Sequence, residues 1–305
     1  DIEEDQSGNL WIATNKEILV VDSLGKVTVL LLKGLDENIN DQELNVTKIQ
    51  FDHSGKLWVG TKTYLYFVDP ERRTTHRYGY HPGDKEIVNI VDLYLDSEAK
   101  LWVSTDSEGL FVLDPVTMQS KAVPLNPDIE RSMSVRQVAE DASGKYWICT
   151  RGGLYVYNKS GNTTSHYFHD EREPHSLITN SANSVFRDRN GEMWVGTRHG
   201  ISLLLQSRQF FHNFIAHPAD KSGRYLNSKS VYAIWMDYQK RIWVGTEDGG
   251  INIYNTHNQT YTYMMEDRTN PNSISEDCIK AFLDDKKGNL WIGSFHGGID
   301  VYNFS

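Results

Sequence analysis

Seven short stretches of this 305-residue chain carry polar and aromatic residues that change from copy to copy inside an otherwise repeating frame: Asn15-Lys16-Glu17, Lys62-Thr63-Tyr64, Asp106-Ser107-Glu108, Arg151, Arg198-His199, Glu247-Asp248 and Phe295-His296. The cations Lys62, Arg151 and Arg198 suit a carboxylate or sulfate, the carboxylates Asp106, Glu108 and Glu247 accept hydrogen bonds from hydroxyl groups, and the rings of Tyr64 and Phe295 offer a face for stacking. Singly, each is what any solvated loop carries. Their common phase in the repeat is what makes them candidates. The predicted ligand-binding residues are Tyr64, Asp106, Arg151, Arg198, His199, Glu247, Asp248 and His296.

Catalysis finds less support. Two of Asp106, Glu108, Glu247 and Asp248 would serve a glycosidase-like reaction if their carboxyl groups stood about 5–10 Å apart, but the candidates fall in the third and sixth repeats and would have to meet across the molecule. His166, His169 and His175 with Asp170 match no tight zinc spacing. There is no serine nucleophile elbow and no phosphate-cradling glycine loop. The sequence therefore predicts no catalytic residue, no metal and no cofactor. Cys149 and Cys278, in the fourth and seventh repeats, are too distant for a disulfide and read as buried small hydrophobes on strands.

Charge narrows the partners further. With 41 acidic and 31 basic residues the net charge is −10, and no Lys/Arg-dense stripe is present, so nucleic acid is excluded as a partner. No apolar run approaches the roughly 18 residues of a membrane span.

The frame that must position these stretches is a repeated phrase: an Asp, a turn, a bulky residue, Trp, then small or β-branched residues. It recurs around Trp11, Trp58, Trp102, Trp147, Trp194, Trp243 and Trp291, at intervals of 47, 44, 45, 47, 49 and 48 residues; only Trp235 falls outside it. A period of this length marks an array of small sheets. In the second repeat Val46–Phe51, Leu57–Thr61, Tyr64–Val68 and Thr75–Tyr78 read as four antiparallel strands, with Asp52-His-Ser-Gly55-Lys as the first hairpin turn. That turn has glycine, free to take positive φ, at Gly8, Gly55, Gly144, Gly191 and Gly288. Ala99 and Lys240 replace it in repeats three and six, where the hairpins are expected to turn differently.

The first two strands of each repeat are apolar on both faces, as in Leu57-Trp58-Val59, so both faces must be covered. Seven radially stacked sheets achieve this. Residues 1–305 are predicted to form one all-β, seven-bladed β-propeller of four-stranded antiparallel blades. Each Trp buries about 150–250 Å², some 4–6 kcal/mol at about 25 cal/mol per Å², so the repeated tryptophans are packing residues. The first repeat starts part-way through and the seventh lacks its outermost strand. Both point to a segment of a longer protein whose missing strand lies just before Asp1.

The phrases Leu57-Trp-Val-Gly-Thr61, Met193-Trp-Val-Gly-Thr197 and Ile242-Trp-Val-Gly-Thr-Glu-Asp-Gly-Gly250 closely resemble two-component regulator propeller repeats. So do the connectors Asp267-Arg-Thr-Asn270-Pro271-Asn272-Ser273 and His169-Asp-Glu-Arg-Glu-Pro174-His-Ser176. The resemblance covers the whole chain. It implies a periplasmic sensor segment of a hybrid two-component system of the Bacteroides type, in which paired propellers and a small β-sandwich precede a membrane helix and a histidine kinase. By that resemblance the parent protein is anchored in the inner membrane and homodimeric, the ligand is an oligosaccharide, and the further partners are the second propeller and the β-sandwich of the same chain. None of the kinase parts lies within these residues. A purely structural platform is the remaining alternative.

Overall fold

The computed structural model describes residues 1–14, 17–30, 45–69, 74–78, 89–125, 134–205, 210–220 and 222–304; Asn15 and Lys16 of the predicted ligand loops lie outside them. Among the described residues there is no helix, and so none long and apolar enough to cross a membrane. Seven antiparallel meanders, the blades of a β-propeller, make up the structure, six of four strands and the last of three. They fall in two compact units, Asp1–Val138 and Ala139–Ser305.

In the first unit, blade 1 comprises Ile2–Glu4, Leu10–Ala13, Ile18–Val21 and Val27–Leu30. Blade 2 comprises Val46–Phe51, Leu57–Thr61, Leu65–Asp69 and Thr74–Arg77, and blade 3 Ile90–Leu95, Leu101–Thr105, Leu110–Asp114 and Gln119–Ala122. Blade 4 opens with Val135–Glu140 at the boundary and continues in the second unit with Tyr146–Thr150, Gly153–Asn158 and Thr163–Tyr167. Blade 5 comprises Ala182–Arg187, Met193–Thr197, Gly200–Leu205 and Phe210–Ile215; blade 6 Val231–Met236, Arg241–Thr246, Ile251–Asn255 and Thr260–Met264. Blade 7 has Ile279–Asp284, Asn289–Ser294 and Ile299–Asn303.

The second strands are the core. All five residues of Leu57–Thr61, Leu101–Thr105, Tyr146–Thr150 and Met193–Thr197 are buried. Within each unit the blade's Trp packs against the first two strands of the next blade. Trp58 lies with Ile90, Leu93 and Val103, Trp194 with Ile234, Met236 and Val244, and Trp243 with Ile279, Leu290 and Ile292. The glycine of Trp-Val-Gly-Thr has the same cause. A Cβ at Gly60, Gly196 or Gly245 would stand 2.5, 2.7 or 2.8 Å from a methyl of Ile90, Val231 or Ile279 on the following blade.

Every phase-matched Trp is also hydrogen-bonded. Its Nε1 donates to the Asp six residues earlier, at distances from 2.8 Å for Trp102–Asp96 to 3.4 Å for Trp291–Asp285. The other carboxylate oxygen closes the hairpin: Asp52 Oδ1 accepts the backbone N–H groups of Ser54 and Lys56 at 2.8 and 3.1 Å. Trp291 alone of the seven is half-buried, in the blade that has three strands. Trp235, out of phase, pairs directly across the strands with Trp243.

Two expectations are corrected. Ala99 and Lys240 do not turn their hairpins differently: they take φ of 60° and 62°, and their N–H groups donate to Asp96 O and Asp237 O at 3.0 Å as Gly55 N does to Asp52 O. The Asp carboxylate, present in all seven turns, sets the geometry more firmly than the glycine. Cys149 is buried, but Cys278 is half-exposed and precedes its strand by one residue; there its carbonyl accepts the N–H of Phe295 at 2.9 Å.

Candidate functional site

The loops between second and third strands are built on one frame. In every blade the hydroxyl ending the second strand donates to the carbonyl at the far end of the loop: Thr61 to Tyr64 O at 2.8 Å, Thr197 to Gly200 O at 2.8 Å, Thr246 to Gly250 O at 2.9 Å and Ser294 to Gly298 O at 3.1 Å, for example. In blades 2, 3, 5, 6 and 7 the next residue's N–H then donates to the carbonyl just before the blade's first strand, from Lys62 to Asn45, Asp106 to Asn89, Arg198 to Ser181, Glu247 to Ser230 and Phe295 to Cys278, at 2.9–3.3 Å. The backbone is thereby fixed twice. The side chains at that residue are left to vary.

A second varying position comes from a β-bulge. The registers of the first strands of blades 2, 3, 5, 6 and 7 shift after their first residue, which makes Thr47, Val91, Asn183, Tyr232 and Lys280 the extra residues. Bulges re-aim side chains and recur beside functional sites. Thr47 and Asn183 spend theirs on the neighbouring blade, through Thr47 Oγ1 to Ile90 O at 2.8 Å and Asn183 Nδ2 to Val231 O at 3.3 Å. Tyr232 and Lys280 instead face the loops.

In the second unit these two sets converge. The Tyr232 hydroxyl donates to Glu247 Oε1 at 3.1 Å. The Lys280 ammonium lies 3.3 Å from the Tyr232 ring centroid and 5.2 Å from that of Phe295, and the Phe295 ring lies 4.1 Å from that of His296. Burial raises the Tyr232 phenol above its ordinary value, the nearby Glu247 charge adds to this, and Arg198 opposes it. Burial likewise raises the Cys278 thiol, against the pull of Lys280. Glu276 is held below the usual carboxylate range: burial works against this, but the N–H groups of His296 and Gly297 donate to Oε2 at 2.6 and 2.8 Å. The result is a continuous patch from Glu247 through Tyr232, Lys280 and Phe295 to His296, with the Arg198 charge at its edge, aromatic faces, both signs of charge and a supported backbone.

Of the residues singled out in the sequence, Arg198, Glu247 and His296 belong to this patch. His199 is exposed beside Arg198, its N–H donating to Thr197 Oγ1 at 3.1 Å. Asp248 is exposed and accepts the Ser228 hydroxyl. Arg151 opens the equivalent exposed loop of blade 4. In the first unit, Asp106 accepts Ser134 Oγ at 2.6 Å and stands 3.9 Å from the Arg136 guanidinium. Tyr64 is half-buried, with one face of its ring covered by the Arg77 guanidinium at 3.3 Å from the centroid. The histidines weighed for metal have other contacts, His166 Nε2 with Gly152 O at 2.9 Å and a stack on Tyr155, and His169 Nδ1 with Leu177 O at 2.8 Å. Tyr232 and Lys280 were not anticipated; their signal was a strand position that changes identity from repeat to repeat, Thr47, Val91, Asn183, Tyr232, Lys280.

Residues 176–199 and 273–296 match the two component regulator propeller family. Each match runs from the connector serine, Ser176 or Ser273, to the loop between second and third strands. Among curated proteins no sequence matches the chain. The extracellular domain of a putative hybrid two-component system from B. thetaiotaomicron has the same fold, with a TM-score of 0.79 at 22% identity over 98% of this chain and 39% of that one. PorZ, a bacterial surface component of the type-IX secretion system of Porphyromonas gingivalis, aligns with a TM-score of 0.75 at 16% identity over 99% of this chain and 46% of that one. Virginiamycin B lyase from Staphylococcus aureus aligns with a TM-score of 0.74 at 12% identity over 100% and 94%. The chain thus spans less than half the length of the first two.

Proposed function

We propose that this chain, a β-propeller with two-component regulator propeller repeats, is the extracytoplasmic, non-enzymatic sensor part of a hybrid two-component receptor. In this reading it holds an oligosaccharide at the patch formed by Arg198, Tyr232, Glu247, Lys280, Phe295 and His296. The observation that carries this is the convergence of non-repeated side chains from three successive blades on one double-anchored loop frame. Aromatic faces beside charged groups are what a sugar uses, the rings for its C–H face and the charges for its hydroxyls or an acidic substituent. Family likeness supports the sensor role, and the extracellular neighbours support the placement. In the periplasm, bound glycan would favour one arrangement of a homodimeric receptor, including its second propeller and β-sandwich, and so bias an inner-membrane histidine kinase. That requires different affinities for the two arrangements.

A glycan-panel screen by calorimetry tests the assignment. The cognate oligosaccharide should bind, and Tyr232→Ala, Lys280→Ala and Glu247→Ala should each weaken it by about tenfold or more, a loss of about 1.4 kcal/mol. Unchanged affinity in all three folded variants would remove the patch from consideration.

A further inference from the structure

The opposite, hairpin end of the second unit is not the featureless set of turns its repetition implies. The residue after each turn Asp is Arg189 in blade 5, Tyr238 in blade 6 and Lys286 in blade 7. The Arg189 guanidinium stacks 4.5 Å from the Tyr238 ring centroid and donates to Asp237 O at 3.4 Å. The Tyr238 hydroxyl donates in turn to Asp284 Oδ2 at 2.6 Å. A chain of contacts therefore ties three blades together at their hairpins, yet Tyr238 stays 56% exposed.

Charge at this end runs against that of the whole chain. Arg187, Arg189, Lys240 and Lys286 are exposed on the three hairpins, whereas Asp188, Asp237 and Asp285 are buried beneath their tryptophans. Glu192 and Asp284 are only partly exposed, and Asp284 is engaged by Tyr238. No carboxylate of these hairpins is fully exposed, in a chain of net charge −10. The hairpins of blades 2 and 3 differ: they expose His53 and Ser54, and Ser97 and Glu98.

We propose that this end docks an acidic protein surface, with Tyr238 as the central anchor and Arg189 and Lys286 pairing with the partner's carboxylates. Tyrosine and arginine are the residues that carry interface energy, and side chains already fixed by mutual contact lose little entropy on binding. The backbone argues against a small phosphate as the occupant. Within each turn the N–H groups that would cradle one are taken by the turn Asp, as with Asn190 and Glu192 on Asp188, and Gln239 and Arg241 on Asp237, at 2.8–2.9 Å. Recognition falls to the long side chains and the ring.

Biolayer interferometry with immobilised poly-glutamate peptide, and a heparin fragment as a second polyanion, tests this on the 305-residue chain. The peptide should bind with an affinity that falls as salt rises. Arg189→Glu with Lys286→Glu should weaken it at least about tenfold, and Tyr238→Ala severalfold at unchanged charge. Should the double variant unfold, Lys286→Glu alone, at an exposed site, still has to weaken binding. Wild-type affinity in the charge variants overturns the proposal. So does tighter binding of heparin combined with indifference to Tyr238→Ala, which would mark an undirected cationic patch.

Discussion

Trp58 donates its indole N–H to Asp52 Oδ2 at 2.9 Å, with the ring fully buried and the carboxylate nearly so. Asp52 Oδ1 meanwhile takes two backbone N–H groups and the Ser54 hydroxyl. One side chain thus shapes the hairpin and fixes the core aromatic that packs on the next blade. Asp52→Ala should destabilise the protein by about 2–4 kcal/mol, because it removes a charge-assisted bond and leaves buried donors unsatisfied. Asp52→Asn, able to satisfy some of them, should lose less. Equilibrium unfolding reads both; a loss under about 1 kcal/mol for the alanine variant would show that the carboxylate does not hold the turn.

Ala99 and Lys240 occupy the left-handed backbone region that five other repeats give to glycine. A side chain there is strained by roughly 1 kcal/mol, partly offset by the greater freedom glycine has when unfolded. Ala99→Gly and Lys240→Gly should each raise stability by about 0.3–1 kcal/mol. A fall in unfolding midpoint for both would mean that the turn, not the residue, has adapted.

Much of this architecture is legible in the sequence because the core residues repeat. The Asp and Trp recur six apart in every copy, and that spacing places the strands. The indole–carboxylate bond itself is invisible until the hairpin is folded. The candidate patch is half legible: Arg198, Glu247 and His296 stand in loops that visibly vary, whereas Tyr232 and Lys280 sit inside strands and are turned toward the loops by a bulge no local pattern announces. Tyr64 shows a contact that spacing does not announce: Arg77, on the fourth strand of the same blade, covers one face of its ring.

Acid should stabilise the first unit. Lys48 bridges Asp1, just before the first strand of blade 1, and Asp92, on the first strand of blade 3, at 2.8 and 3.8 Å. Burial pushes Asp92 up to about 6, with Lys48 opposing. Burial pushes Glu3 up to about 7, again against Lys48, with the Asp92 charge adding to the rise. A carboxyl whose pKa is higher in the fold than in the unfolded chain binds its proton more tightly when folded. Its contribution is complete below about 4 and is lost as pH rises through about 6–7. Burial lowers the Asp1 ammonium of the same cluster to about 5, which opposes this loss above about pH 5. The denaturant midpoint should therefore fall between about pH 4 and pH 6, where the two carboxyl groups dominate, and Glu3→Gln with Asp92→Asn should flatten that slope. A midpoint that rises over the interval in the unmodified chain would reverse the sign and refute the account.

Gly196 and Val231 show how closely successive blades approach. A Cβ on Gly196 would fall 2.7 Å from Val231 Cγ1 and would also strike Ser184 Oγ. Blade 4 carries Cys149 at the equivalent place, and the residue of blade 5 equivalent to Val231 is Ala182, packed in the same cluster as Cys149. The larger side chain on one blade thus coincides with a smaller one on the next. Gly196→Ala should accordingly destabilise by about 1–3 kcal/mol through overpacking. Val231→Ala alone should also destabilise, by leaving a cavity. If the approach of these two positions is the cause, the double variant should lose less than the sum of the two, with a coupling of about 0.5 kcal/mol or more by equilibrium unfolding. Strict additivity would place the strain elsewhere, at Ser184, and the blade-to-blade fit would not be what keeps glycine in this repeat.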